Sequence, residues 1–442
     1  MTVTISPDQS IDLSTGWPNP ALLSAPDFRD SATTALSNPS IATDALLYGP
    51  DEGYEPLRRH IASWLTDFYQ PSEPISPQRI CITGGASQNL ACVLQTFTDP
   101  VYTRNVWVVA PTYYLAARIM EDAGFAGRLR GVPEDDEGVD IAVLESGLRA
   151  AEEAAQQAGN TEPRMKPPRP WRKIYKYVIY AVPTFANPSG KIMSTRRREE
   201  LVRLARQYDA LIVTDDVYDF LQWSANPNGE EGFSGDRACA PRIVDVERYM
   251  EGGDEWGNAI SNGSFSKLIG PGCRTGWAES SEKLIYGLSQ TYGGSSRSGG
   301  APSQLSATII DQMFPTKIIQ NHIHDFLQPK LAQNYHNLLS AIQEHLVPLG
   351  VTVSSPGNIA GGYFVWIGLP SHLNATEVVE RAESEEKLIM SPGDAFQVPE
   401  GSKGSSKTFS DHLRLCIAWE EPRHLTEGVR RLARVLNRMA RT

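Results

Sequence analysis

The sequence predicts an α/β protein. Its large domain has a mostly parallel sheet of the seven-stranded type sandwiched by helices, and a smaller α+β domain accompanies it. Three observations carry this reading. Short apolar runs alternate with helical periodicities from residue 80 to about 280, the pattern of a parallel sheet covered on both faces. The runs stop at clusters of Gly, Pro, Asn and Asp, where turns form. The last hundred or so residues, with the N-terminal arm, read as a smaller α+β unit. We therefore divide the chain into an arm and part of the small domain (1–47), a large domain (48–325) and a small C-terminal α+β domain (326–442).

The arm is rich in Pro, Ser, Asp and Thr and reads as extended chain with short turns. Within it, Gly16-Trp17 places an indole among turn formers, suited to packing the arm down or to covering a substrate mouth. After the turn cluster Tyr48–Tyr54, Leu57, Ile61, Trp64 and Leu65 recur at helical spacing. Arg58 and Arg59 fall off that stripe and are expected in solvent.

The large domain begins with the strand Arg79–Thr83. The turn Gly84-Gly85-Ala86-Ser87-Gln88 and a helix to Phe97 follow, so backbone N–H groups and a helix dipole converge where an anion can sit. Val106–Ala110 is a buried strand ending at Tyr113, whose ring is placed to stack on a flat ligand or to join the core. Residues 131–142 read as an acidic loop, and 152–173 as a polar, Pro-rich surface insert with a basic end. Tyr177–Val182 leads into Pro183-Thr184-Phe185-Ala186-Asn187-Pro188-Ser189-Gly190, a tight-turn sequence. Ser194 or Thr195 then caps a helix carrying Leu201, Leu204, Ala205 and Tyr208 on one side. Leu211–Thr214 delivers Asp215 and Tyr218 at its end, with Asp216 competing for the role of Asp215. Residues 223–258 read as a long surface loop.

Ala259–Ser264 runs into Ser264-Phe265-Ser266-Lys267, and Arg274 follows seven residues after the lysine. A lysine that condenses with an aldehyde needs a rigid, partly desolvated turn on which it can lose its proton. Two hydroxyls and a guanidinium beside it suit a phosphate. Tyr292–Gly300, with Arg297, reads as a lid or linker, and a helical region runs from about Ser303 to His345. Val351–Val353, Gly362–Ile367 and Leu413–Ile417 are strands, and Leu425 to Leu436 forms a final amphipathic helix. Arg414 is a lone charge inside an apolar strand, which needs a partner to be tolerated.

Composition narrows the function. A net charge of −11 argues against broad nucleic-acid binding, which requires a basic face. Five scattered cysteines without C-x-x-C spacing fit reduced thiols in an intracellular, cytoplasmic protein, with neither disulfides nor a metal site. No secretory or mitochondrial signal and no membrane-spanning run is visible.

The singled-out polar residues fall at or just past strand ends, the ligand-binding edge of an α/β sheet. Pyridoxal phosphate (PLP) chemistry gives each a task. Lys267 carries the Schiff base and shuttles a proton, and Asp215 keeps the pyridine nitrogen protonated. Tyr218 and Asn187 bind the ring hydroxylate, while Tyr113 stacks on the ring. Gly85, Ala86, Ser87, Ser264, Ser266 and Arg274 hold the phosphate, and Arg414 clamps the substrate carboxylate.

These residues stand in YGPDEGYEPLR, TGGASQ, APTYY, PTFANPSG, TDDVY, GSFSKLIGPGCRTGW and LRLCIAW, between residues 48 and 419. In that order they resemble the fold-type I, class I/II PLP-dependent aminotransferases. The cadence is most similar to the branch of 2-aminoadipate, kynurenine and aromatic aminotransferases. The resemblance implies amino-group transfer from an L-amino acid to a 2-oxo acid by a ping-pong route. It also implies a homodimer in which Tyr48 reaches the partner subunit's PLP phosphate, and a small domain that closes over substrate near Gly16 and Trp17. The inserts at about 152–172 and 223–258 are longer than that pattern, and Arg297 is a candidate for an acidic substrate side chain or a solvated lid residue. A lyase, decarboxylase, β/γ-replacement enzyme or biosynthetic cyclase would use the same Asp, Lys and Arg. The 47 residues before Tyr48 hold no basic recognition helix, against the related PLP-sensing transcription regulators.

Overall fold

The computed structural model describes residues 6, 8–167, 169–229, 233–292, 300–354, 357–399 and 408–441. Its centre is a sheet in the spatial order Ile80–Thr83, Gly276–Glu279, Ala259–Ser264, Ala210–Asp215, Tyr177–Ala181, Asn105–Ala110, Leu129–Asp135 and Gly138–Val139. Neighbours from Ala259–Ser264 through Leu129–Asp135 run parallel. Gly276–Glu279 is antiparallel to the strands on both sides of it. The two-residue strand Gly138–Val139 is a hairpin tail on an otherwise seven-stranded sheet. The inner strands are buried along their length, as a sheet covered on both faces requires.

A second, antiparallel sheet joins Thr352–Val353, Phe364–Gly368, His412–Cys416 and Ser391–Pro392. The arm is tied to this part of the chain, because Ile11–Asp12 pairs in parallel with Leu388–Ile389 and Leu13 O accepts from Cys416 N. The helix Pro422–Met439 buries Leu425, Val429, Leu432, Val435 and Leu436 on one stripe. Ser194 caps the helix Thr195–Gln207 by accepting from Arg197 N at 3.1 Å.

Several local expectations are corrected. The arm is largely helical, with Ala25–Ser37 and Pro39–Leu46. Pro26 and Pro39 sit in first turns, where a missing N–H costs nothing, so residues that read as breakers are helix starters here. Residues 131–142 hold an edge strand and hairpin instead of a loop, with Asp135 paired to Arg197 and Glu137 to Arg196. The helix Ile141–Gln157 runs into the 152–173 insert before the chain becomes irregular. The stretch 223–258 contains part of the strand Gln222–Ser224, which pairs with Ile359–Gly361, and the helix Ile243–Tyr249. Ile243 and Val244 bury there, an apolar signal too short to stand out among Gly, Asn and Glu. Arg58 is buried, not solvated: its Nε donates to Ile80 O and its Nη2 to Pro77 O, both at 2.8 Å. The helical region after Ser303 breaks near Pro315, whereas Pro329 falls in the first turn of Gln328–His345 and is accommodated. Arg297 lies outside the described residues.

Candidate active site

The parallel strands deliver their C-terminal ends to one edge of the sheet, and a cavity of about 480 Å³ opens there. Gly16, Trp17, Ala86, Ser87, Tyr113, Asn187, Asp215, Tyr218, Ser264, Ser266, Lys267, Arg274 and Arg414 all line it. Two candidates do not. Gly85 sits just behind the wall with φ 97°, and a Cβ added there would stand 3.0 Å from Arg274 Nη2, so a glycine lets the guanidinium approach. Tyr48 projects into solvent, 83% exposed, away from this chain's own cavity.

Lys267 emerges from a short turn after the Ala259–Ser264 strand. Its Nζ donates to Gly16 O at 2.7 Å and lies 4.9 Å from the centre of the Tyr363 ring. Burial pushes its ammonium down to about 8, with Arg414 adding to the effect and Cys416 and Asp215 opposing it. The amine is therefore far easier to deprotonate than a surface lysine, as a nucleophile and proton carrier requires.

Asp215 ends its strand facing the cavity. Oδ2 accepts from the Tyr180 hydroxyl at 2.9 Å, while Oδ1 is buried with no partner. Burial pushes the carboxyl up to about 7; Asp216 reinforces this, and the Tyr180 hydroxyl and Lys267 oppose it. Asp216 does not line the cavity and instead accepts from Thr214 and Ser261 hydroxyls at 2.7 and 2.5 Å. Asp216 Oδ1 is also without a partner, but it is shut away from the cavity, so the open oxygen that a ligand can reach belongs to Asp215.

At the other end, the helix Ala86–Phe97 points its N-terminus at the cavity beside Arg274 and the linked hydroxyls of Ser264 and Ser266, 3.0 Å apart. Arg274 is held in the left-handed region (φ 45°), with Nη2 donating to Gly84 O at 3.1 Å. Free N–H groups, a positive helix end and a guanidinium make an anion cradle.

Arg414 is 4% exposed and sandwiched by Phe364 and Phe396, at 4.0 and 4.7 Å from their ring centres. Nη1 donates to Asn187 Oδ1 at 3.2 Å and Nη2 to Ser14 O at 2.5 Å, and Nε is buried without a partner. Burial lowers its pKa. Among the described residues no carboxylate forms an ion pair with it, so its charge is left for a ligand anion.

Some groups that position the lining residues escaped the sequence reading. Tyr180 looks like any core tyrosine of a buried strand; only its hydroxyl, which needs a partner, signals otherwise. Asp12 knots the arm by accepting from Ser14 N, Ser14 Oγ, Thr15 N and Thr15 Oγ1. That knot aims the carbonyls of Ser14 and Gly16 at Arg414 and Lys267. Its signal was the D-x-S-T spacing of an Asx turn.

An anion cradle, a desolvated lysine and an unpartnered carboxylate oxygen in one cavity fit a phosphorylated pyridine aldehyde, and the comparisons agree. The chain belongs to the aminotransferase class I and II family, whose model matches residues 21–432. It is 34% identical to an uncharacterized protein of Saccharomyces cerevisiae, across 87% of this chain and 85% of that protein. It is 28% identical to aromatic-amino-acid aminotransferase 1 of Thermococcus litoralis (89% and 81% covered) and to the 2-aminoadipate transaminase of Thermus thermophilus (95% and 88%). Among solved structures, the Pyrococcus horikoshii kynurenine aminotransferase, crystallised with PMP, superposes with a TM-score of 0.74 at 26% identity, covering 97% of this chain and 91% of that one. The protein is a PLP-dependent transferase of amino groups. No helix among the described residues is long and apolar enough to cross a membrane.

Proposed function

We propose that the protein moves the amino group of an aromatic or 2-aminoadipate-like L-amino acid to a 2-oxo acid, in two half-reactions at one site. One observation carries this: the Lys267 amine, the open Oδ1 of Asp215 and the under-partnered guanidinium of Arg414 face a single cavity. PLP, when bound, supplies an aldehyde and an electron-accepting pyridine ring. Asp215 Oδ1 is the acceptor for a proton on the ring nitrogen and holds it there. Asn187 and Tyr218 lie at the cavity wall to bind the ring oxygen, and Tyr113 to cover a ring face. Ala86, Ser87, Ser264, Ser266 and Arg274 are the phosphate ligands in this account. Lys267 Nζ takes the proton from the substrate Cα and delivers it elsewhere in the same bound molecule. Arg414 binds the substrate carboxylate, exchanging Ser14 O for it, and so orients the Cα–H toward Lys267.

The aromatic relatives and the Trp17 and Tyr114 rings at the cavity wall support the substrate class. The domain division at 47 and 325, a cytoplasmic site of action and a homodimer belong to the same proposal. The exposed run Leu46, Leu47 and Tyr48 supports the dimer, since an apolar patch of this kind suits a subunit interface, with Tyr48 reaching the partner's phosphate cradle. Steady-state turnover with 2-oxoglutarate and a panel of L-kynurenine, L-phenylalanine, L-2-aminoadipate and L-aspartate tests the substrate class. The first three are expected to be preferred over aspartate; a clear preference for aspartate would refute the reading.

A further inference from the structure

We propose that the 152–172 insert builds a second ligand site: a pocket for a small, multiply charged anion of the pyrophosphate or phosphate-ester class. The pocket measures about 510 Å³ and is walled by Gln95, Thr96, Lys166, Arg169, Trp171 and Arg172, among others. Three of its lining residues are cations and none is a carboxylate. Arg172 lies over the Trp171 ring at 5.4 Å, donates from Nη2 to Pro167 O at 2.5 Å, and has a buried Nε with no partner. Lys166 reaches the carbonyls of Leu94 and Gln95 at the C-terminal end of the helix Ala86–Phe97.

Nothing on the protein side balances these charges well. Burial and Arg172 push the Lys166 ammonium down to about 8, and burial and Arg169 lower Arg172. Asp99 is the carboxylate that opposes them, and it already accepts the N–H groups of Val101, Tyr102, Met165 and Lys166. Three cations gathered in a concavity against one carboxylate, itself occupied by backbone N–H groups, raise the free energy of the empty site, and an anion relieves that repulsion. The limited size of the pocket and the chain's net charge of −11 favour a small anion over a nucleic acid.

This site is separate from the active cavity. The two lie at opposite ends of one 12-residue helix, about 18 Å apart along its axis. Calorimetric titration of the PLP-loaded protein with inorganic pyrophosphate at fixed ionic strength tests it, because the cofactor then fills the other phosphate cradle. Saturable binding of one pyrophosphate per chain is expected, weakened about tenfold in Arg172→Gln and in Arg169→Gln. Arg169 is exposed, so its variant keeps the test open should Arg172→Gln fail to fold. Absence of binding, or equal affinity in wild type and both variants, overturns the proposal. So does binding of a single-stranded oligonucleotide without binding of pyrophosphate.

Discussion

Asp215 and Asp216 are adjacent in sequence, yet they serve two regions of opposite character. In front of the strand end, Asp215, Lys267 and Arg414 are each left short of partners: an open Oδ1, an amine held by one backbone carbonyl, and an idle Nε. Behind it, the charged groups are tied into the framework. Asp216 is bonded by two hydroxyls, and Asp219 accepts from Tyr69 at 2.7 Å. Arg242 pairs with Asp245 at 2.9 Å and Glu279 at 2.6 Å. Arg198 donates to the carbonyls of Met193, Pro241 and Pro183 and to the Thr184 hydroxyl, fixing the loop that carries Asn187. Burial is similar on the two sides, and Asp216 Oδ1 and Asp219 Oδ1 behind are unpartnered too; what differs is that the open groups in front line the cavity and those behind do not. Unsatisfied polar groups that also line a cavity are the ones a ligand completes.

The sharpest way to separate the two regions is to remove one member of each. Lys267→Ala is expected to lower kcat/KM by at least about a thousandfold, since it deletes the proton carrier, with little change in thermal stability. A variant that keeps most of its turnover would remove Lys267 from the chemistry. Arg242→Leu should do the reverse. Stranding Asp245 and Glu279 in the interior destabilises the fold by about 3–5 kcal/mol in chemical denaturation, while folded protein retains its turnover.

Asp215→Asn removes a charge that burial disfavours. The cofactor-free protein is therefore expected to be no less stable at pH 8, yet the holoenzyme should lose about a hundredfold in kcat. The sign follows from the raised pKa: between 3.8 and about 7 the folded, cofactor-free state binds more protons than the unfolded chain. Asp215 thus lowers stability as pH rises through that window, and its removal matters most above it. If Asp216→Asn, and not Asp215→Asn, abolished activity with stability intact, the front and back assignments would be inverted.

The smallest effect is kinetic. Uptake of PLP by the cofactor-free protein through Lys267 needs the unprotonated amine. Its rate should climb with pH around a midpoint near 8 and level off above, because burial lowers that group from 10.5. A midpoint near 10.5, followed by the growth of the visible coenzyme band, would show that the lysine is not desolvated.

The front region was legible in the sequence and the back region was not, for a physical reason. Lys267, Asp215, Asn187 and Arg414 stand at strand ends or as lone charges in apolar runs, and periodicity marks such positions. Arg198 is wired by backbone carbonyls and the Thr184 hydroxyl, and Arg242 by Glu279 as well as its neighbour Asp245; apart from that i,i+3 pair no local pattern reveals them. Arg58 failed for the same reason: its helical position looks solvent-facing, but the Pro77–Ile80 turn folds over it. The helices Ala25–Ser37 and Pro39–Leu46 were hidden by Pro and Ser, which read as loop formers unless their place in the first turn is known. The sheet was easier, because fully apolar strands alternating with helices admit few architectures.

The central claim is that this cavity passes an amino group through the cofactor in two separable halves. Mixing PLP-loaded protein with L-kynurenine or L-2-aminoadipate, without any oxo acid, tests it most directly. The account predicts that the visible coenzyme band disappears, that one equivalent of the matching 2-oxo acid (or its cyclised product) is released per site, and that 2-oxoglutarate restores the band. Continuous ammonia or carbon dioxide release, with no conversion of the cofactor to its amine form, would contradict it and assign the site to a lyase or decarboxylase.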